Sequence, residues 1–252
     1  MEERGADLVP GWYGKMPCLG DFASRRLPTE FIEPWDAWLQ RSLAASRERL
    51  GESWLELFLK SPMWRFALTP GICGANAWAG LLIPSVDKVG RYFPLTFALE
   101  LADAEADIAS IFAAQAWFRA LEQVGLTALD ALFSPEQLEC ALQGNALTAV
   151  TRGADPSCVE AMLAWGRDDT ATPYSLQLAD PASLTAIAEA SAHALLTGSV
   201  AGRSFWWSVS AEEGATELHC ARGLPPETYF EVLLRGADAA QEMNVDVQVL
   251  QI

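Results

Sequence analysis

The run Ala77-Trp78-Ala79-Gly80-Leu81-Leu82-Ile83 is apolar at every position, so a strand made from it has no face to offer to water. Such a strand belongs in the middle of a sheet with a layer packed on each side. The flanking sequence supplies those layers. Trp64 to Leu68 and Tyr92 to Leu101 read as further strands, and a short strand around Trp12-Tyr13 precedes them. Between these, Phe31, Ile32, Trp35, Trp38, Leu39 and Leu43 recur at helical spacing as one apolar stripe that ends near Gly51. Pro34 interrupts that stripe. A proline beyond the first turn removes a hydrogen bond and crowds the preceding turn, so the regular helix is expected from residue 33 rather than 29.

A short helix is predicted over Glu52 to Leu59, and helical spacing returns over 104–125. Ser134-Pro135-Glu136-Gln137 carries a capping box with proline at the first helical position. Residues 145–175 read as loop with a short helix around 157–165, followed by a helix over Ala182 to Leu196. A hairpin is expected from Arg203 to Ser210 and Thr216 to Cys220, and Pro225-Pro226 opens a last helix through Leu234. The tail alternates Val245, Val247 and Val249 with polar residues, which suits a terminal strand. Interleaving of this kind predicts an α/β (α+β) fold: a mixed sheet with helices packed on both faces. Nothing marks a linker, so a single domain over 1–252 is expected.

Composition restricts the partners. The chain carries a formal charge of −16, which disfavours nucleic acid and anionic lipid. Residues 1–100 are nearly balanced at −1, whereas residues 101–252 carry −15, so the acidity belongs to the second part. Five cysteines at 18, 73, 140, 158 and 220 show no C-x-x-C pair and no ligand spacing, so neither a disulfide framework nor a metal site is expected. Met1-Glu2-Glu3-Arg4 lacks the basic and apolar regions of a signal peptide, and no apolar run is long enough to span a bilayer. A reducing cytoplasm without membrane insertion is the expectation.

Enzyme templates find little purchase. Gly14-Lys15 is followed by Met16 and lacks the glycine spacing and hydroxyl of a phosphate-binding loop, and no nucleophile elbow or H-E-x-x-H helix is present. The two histidines, His193 and His219, fall on a predicted helix and a predicted strand. The dense chemistry lies elsewhere, in Pro84-Ser85-Val86-Asp87-Lys88-Val89-Gly90-Arg91-Tyr92-Phe93-Pro94-Leu95 and in Gly11-Trp12-Tyr13-Gly14-Lys15-Met16-Pro17-Cys18-Leu19-Gly20-Asp21-Phe22. Ser85 and Asp87 can bind nearby amides, Gly90 can take a positive φ and Asp87 can pair with Arg91, which would fix the connection between two strands. The functional alternative is an exposed recognition loop, or a polar pocket shared with Lys15 and Asp21.

These two runs, with Trp35-Asp36-x-Trp38-Leu39 between them, resemble the TagF (ImpM) family of bacterial type VI secretion accessory proteins. The specific motifs lie within 11–101; Ser204-Phe205-Trp206-Trp207 and Gly223-Leu224-Pro225-Pro226 are similar to weaker signals further on. The resemblance implies an αβα layered domain in a Gram-negative bacterium. It implies a cytoplasmic, non-enzymatic, post-translational repressor of secretion that acts with the forkhead-associated scaffold protein of that system. A PP2C-type phosphatase, fused in some members, would here be a separate protein. No cofactor and no catalytic set come with the resemblance. The candidate partner-binding or structural residues are therefore Lys15, Asp21, Ser85, Asp87 and Arg91. Two other classes stand beside this reading. One is a small hydrolase or transferase with a cleft around Asp21, Ser85, Asp87 and Arg91. The other is a structural component that takes its partner along the strand Val245 to Val249 by edge addition.

Overall fold

The computed structural model describes residues 8–101, 108–147, 182–209 and 216–236, with isolated positions between 157 and 163. Among these residues seven strands form one sheet: β1 (Gly11–Gly14), β2 (Ala23–Arg25), β3 (Trp64–Leu68), β4 (Ala77–Ile83), β5 (Leu95–Leu101), β6 (Arg203–Val209) and β7 (Thr216–Arg222), in the order β2-β1-β5-β4-β3-β6-β7. The α+β class holds. Where a mixed sheet was expected, every ladder between named strands is antiparallel. The connections explain this. The β1–β2, β3–β4, β4–β5 and β6–β7 links are too short to cross over, so each strand returns beside its predecessor.

All seven residues of β4 are buried, as its composition demanded. Its side chains divide between two cores by the period of two: Ala77, Ala79, Leu81 and Ile83 enter one, Trp78 and Leu82 the other. The first core is covered by α3 (Ile108–Ala113), α4 (Gln115–Ala128) and α5 (Pro135–Gln143), through Ile108, Phe118, Leu121 and Leu138. The second is covered by α1 (Thr29–Leu50), α2 (Trp54–Lys60) and α7 (Phe230–Arg235), with α6 (Ala182–Ser199) between α5 and β6 in sequence. Helices thus cover both faces of the sheet.

Several local expectations are corrected. Helix α1 begins at Thr29, not near 33, and carries Pro34 inside it. The Phe31 and Ile32 amides both donate to the Pro28 carbonyl, closing the first turn. Phe31 and Trp35 straddle the proline and are fully buried, so packing outweighs the lost backbone bond. Strand β5 begins at Leu95 rather than Tyr92, because Tyr92 makes an isolated bridge to Val86 inside the connecting loop. The single helix expected over 104–125 is two, joined at Ala114. Ser134 caps α5 with the full capping box. The short helix around 157–165 lies largely, and the strand Val245 to Val249 wholly, outside the described residues. Among the described residues, no helix is long and apolar enough to cross a membrane.

Candidate functional site

Strand register brings the two chemically dense loops together. Gly14 pairs with Leu95, and Leu95 with Ile83, so the three stand in one row across the sheet. The segment after Gly14 and the segment after Ile83 therefore leave the sheet at the same end. Gly14 is required there: its φ is +135°, and a Cβ would stand 2.2 Å from the Pro94 carbonyl oxygen.

Asp87 ties the loops together. Its Oδ1 accepts from the amides of Val89 (3.0 Å) and Arg91 (2.8 Å), and its Oδ2 from Lys15 Nζ (2.7 Å) and Arg91 Nε (2.6 Å). Both Asp87 and Lys15 are buried. Burial alone would raise the Asp87 pKa. The hydrogen bonds from Lys15, from the amide and guanidinium of Arg91 and from the Val89 amide outweigh it and hold the carboxyl well below the usual range. Ser85 Oγ donates to the Lys15 carbonyl (2.7 Å), and the Lys88 amide donates to the Leu19 carbonyl (2.8 Å). Arg91 also donates to the Gly20 carbonyl, and its guanidinium lies 3.9 Å from Asp21. At Gly90, φ is +84°, the backbone state that closes the turn back to Asp87.

The five sequence candidates thus converge, with different fates. Lys15, Ser85 and Asp87 form the buried floor, while Asp21 and Arg91 sit at the surface. The surface residues that sequence reasoning did not single out are Phe22 and Val89. Phe22 is 43% exposed, stacked on Tyr13 and edge-on to Phe93, with Lys15 Nζ 4.8 Å from its ring centre. Val89 is 67% exposed at the tip of its loop. The signal was an apolar residue between Lys88 and Gly90, where a purely structural turn has no use for one. Together Phe22, Lys88, Val89 and Arg91 form an exposed knuckle on a rigid base.

Chemically, this floor is a poor cleft. Asp87 has every acceptor position occupied and is ionised at neutral pH, so it neither gives nor takes a proton there. Ser85 spends its hydroxyl proton on a backbone carbonyl, and His219 lies three strands away on β7, between Tyr229 Oη (2.6 Å) and Glu217 Oε1 (2.9 Å). Among the described residues, no three His, Cys, Asp or Glu gather as metal ligands would. The sign of the Asp87 effect gives a test. A folded pKa held below the unfolded value of about 3.9 stabilises the fold above that pH, and this stability is lost as pH falls toward the folded value. Melting curves between pH 6 and pH 2 should show the Asp87→Asn variant starting lower and losing less on acidification. An acid limb parallel to that of the unmodified chain would assign acid sensitivity elsewhere.

Two further ion-pair sites were missed because their partners lie far off in sequence. Glu139 of α5, a buried carboxylate, accepts from Trp12 Nε1 (2.6 Å) and from Arg26, joining α5 to the β1–β2 hairpin. Arg26 itself has φ +59° and donates to the Pro10 carbonyl (2.7 Å). Arg65 on β3, 2% exposed, makes a bidentate pair with Glu122 (2.6 and 2.9 Å) and reaches Gln115 (2.6 Å).

Comparison with known proteins follows the same lines. A family model, the TagF N-terminal domain, type VI secretion system-associated, matches residues 11–144. The crystal structure of PA0076 from Pseudomonas aeruginosa PAO1 superposes with a TM-score of 0.68 at 34% identity, covering 89% of this chain and 93% of that one. No curated protein matches the chain.

Proposed function

The chain belongs to the TagF family of type VI secretion-associated proteins, and from that premise we propose that it is a cytoplasmic, non-enzymatic repressor of type VI secretion. It acts by binding the forkhead-associated scaffold protein of that machine and lowering the amount available for assembly. A PP2C-type phosphatase in the same pathway would act as a separate protein. The observation that supports a binding role is the knuckle. Phe22, Val89, Lys88 and Arg91 are presented at the surface by loops that Asp87 holds through four donors. Apolar and guanidinium groups held rigid before binding lose little entropy on docking, which is what an interface anchor needs.

Stoichiometric binding also fits the electrostatics. A cleft enzyme around Asp21, Ser85, Asp87 and Arg91 needs a carboxyl poised near neutral pH, and Asp87 is displaced in the opposite direction. Calorimetric titration against the scaffold from the same secretion cluster should give saturable binding near one to one. The Val89→Asp substitution, at an exposed tip, should leave the melting temperature unchanged and weaken binding about tenfold or more, roughly 1.4 kcal/mol. Unchanged affinity would remove the knuckle from the interface, and absence of any binding would remove the scaffold reading.

A further inference from the structure

The loop that carries Val89 keeps its backbone to itself. Every amide from Asp87 to Arg91 has a protein acceptor: Asp87 donates to the Arg91 carbonyl, Lys88 to that of Leu19, Gly90 to that of Asp87, and Val89 and Arg91 both to Asp87 Oδ1. A compact anion such as phosphate is held best by a row of free amides, and this loop has none to give. Recognition here falls to the side chains.

Those side chains point to one kind of partner. The chain has three lysines. Lys15 is buried against Asp87 and Lys60 is paired with Glu56, whereas Lys88 is exposed and forms no ion pair among the described residues. Arg91 spends Nε on Asp87 and Nη2 on the Gly20 carbonyl; its Nη1 has no protein acceptor among the described residues, on a side chain that is 53% exposed. At the base of the loop Arg47 adds another cation, over the Trp54 ring and within reach of the Tyr92 carbonyl (3.4 Å). The two loops hold Lys15, Lys88 and Arg91 against Asp21 and Asp87, a net charge of +1 in a chain of −16. Lys15 and Asp87 cancel beneath the surface, and Asp21 lies 3.9 Å from Arg91. Val89 stands beside Lys88 at the tip, with Phe22 exposed on the adjoining loop. The knuckle therefore offers spaced cations with apolar groups among them. The acidity of the whole chain repels an extended polyanion such as nucleic acid, so the complement is a short run of carboxylates around an apolar side chain.

We propose that the knuckle docks on an acidic segment of its protein partner, with partner carboxylates at Lys88 and Arg91 and an apolar side chain against Val89 and Phe22. This rests on the binding role proposed above and names the chemistry of the surface that meets the knuckle.

Association of the full chain with the forkhead-associated scaffold should slow about tenfold or more between about 0.05 M and about 0.5 M salt. Lys88→Glu should weaken binding about tenfold or more with an unchanged melting temperature. Arg119→Glu makes the same change of net charge at an exposed position on α4 and should leave affinity as it was. Carbodiimide coupling should join Lys88 to an aspartate or glutamate of the scaffold. Separately from the scaffold, the peptide Asp-Glu-Leu-Phe-Glu-Asp at about 5 mM should shift the amide signals of residues 87–91 and Phe22, and inorganic phosphate at that concentration should not. Scaffold binding that is indifferent to salt and to Lys88→Glu, or coupled through Lys60 alone, would overturn the proposal and leave the scaffold reading standing. So would shifts at this loop from phosphate or a DNA oligomer in place of the peptide. Peptide shifts without scaffold binding would support the acidic-segment proposal and remove the scaffold as its bearer.

Discussion

Replacing Trp35 by alanine should cost about 3–5 kcal/mol of stability, at the upper end of that range. Trp35 is fully buried and stands at the centre of an aromatic cluster. Its ring lies 5.3 Å from Phe31, 5.1 Å from Trp38 and 4.8 Å from Phe66, and stacks on Trp206 at 5.7 Å. These partners come from α1, β3 and β6, so the cavity left by truncation is walled by separate elements that cannot collapse together. The indole also donates to Thr96 Oγ1 at 2.9 Å, and Thr96 is fully buried. Alanine would strand that hydroxyl as well as vacate the ring. Urea unfolding should show the midpoint shift without a change in slope, and a cost below about 1 kcal/mol would mean that the cluster repacks.

Breaking the Arg65 pair is expected to cost a similar amount, about 3–5 kcal/mol for Arg65→Met, for a different reason. The guanidinium is buried under α4, spanning β3 to Glu122 and Gln115, with Phe118 across its face at 5.5 Å. Removing it leaves the Glu122 carboxylate partly buried without its cation. The double variant Arg65→Met with Glu122→Leu should recover much of the loss, since both charges then disappear together. If the double variant is no more stable than Arg65→Met, the pair contributes specificity of packing rather than charge compensation. Either result is read from the same unfolding curves.

Local signals were legible where one residue type settles the backbone. The strands expected at β3 and β4 match end to end, and the serine, proline and glutamine at the start of α5 form the cap that their spacing announced. The helix with Pro34 was misjudged because the decisive contribution, burial of Phe31 and Trp35 against β3, β4 and β6, comes from residues far along the chain. The candidate site was half legible. Lys15 and Asp87 could be named from the motifs, but their contact spans 72 positions, and only the row Gly14–Leu95–Ile83 reveals that the loops share one end of the sheet. Glu139 gave no signal at all. A lone glutamate on an amphipathic helix looks like solvated surface, and its bond to Trp12 spans 127 positions.

The place of β6 has a consequence for how the chain is made. Arg65 of β3 pairs with Trp207, and Phe66 with Trp206, across some 140 residues. Synthesis runs from the N-terminus, so β1 to β5 and the helix bearing Trp35 leave the ribosome long before β6 exists. Throughout that interval β3 has an open side, and the aromatic layer beneath α1 lacks Trp206. Non-local pairings of this kind form slowly, and an open strand edge in the meantime invites wrong partners. The nascent protein therefore passes through a period in which its most apolar surface is its least protected. Truncation before residue 203 should leave product that chaperones retain, whereas release after residue 209 lets the ladder on β3 complete.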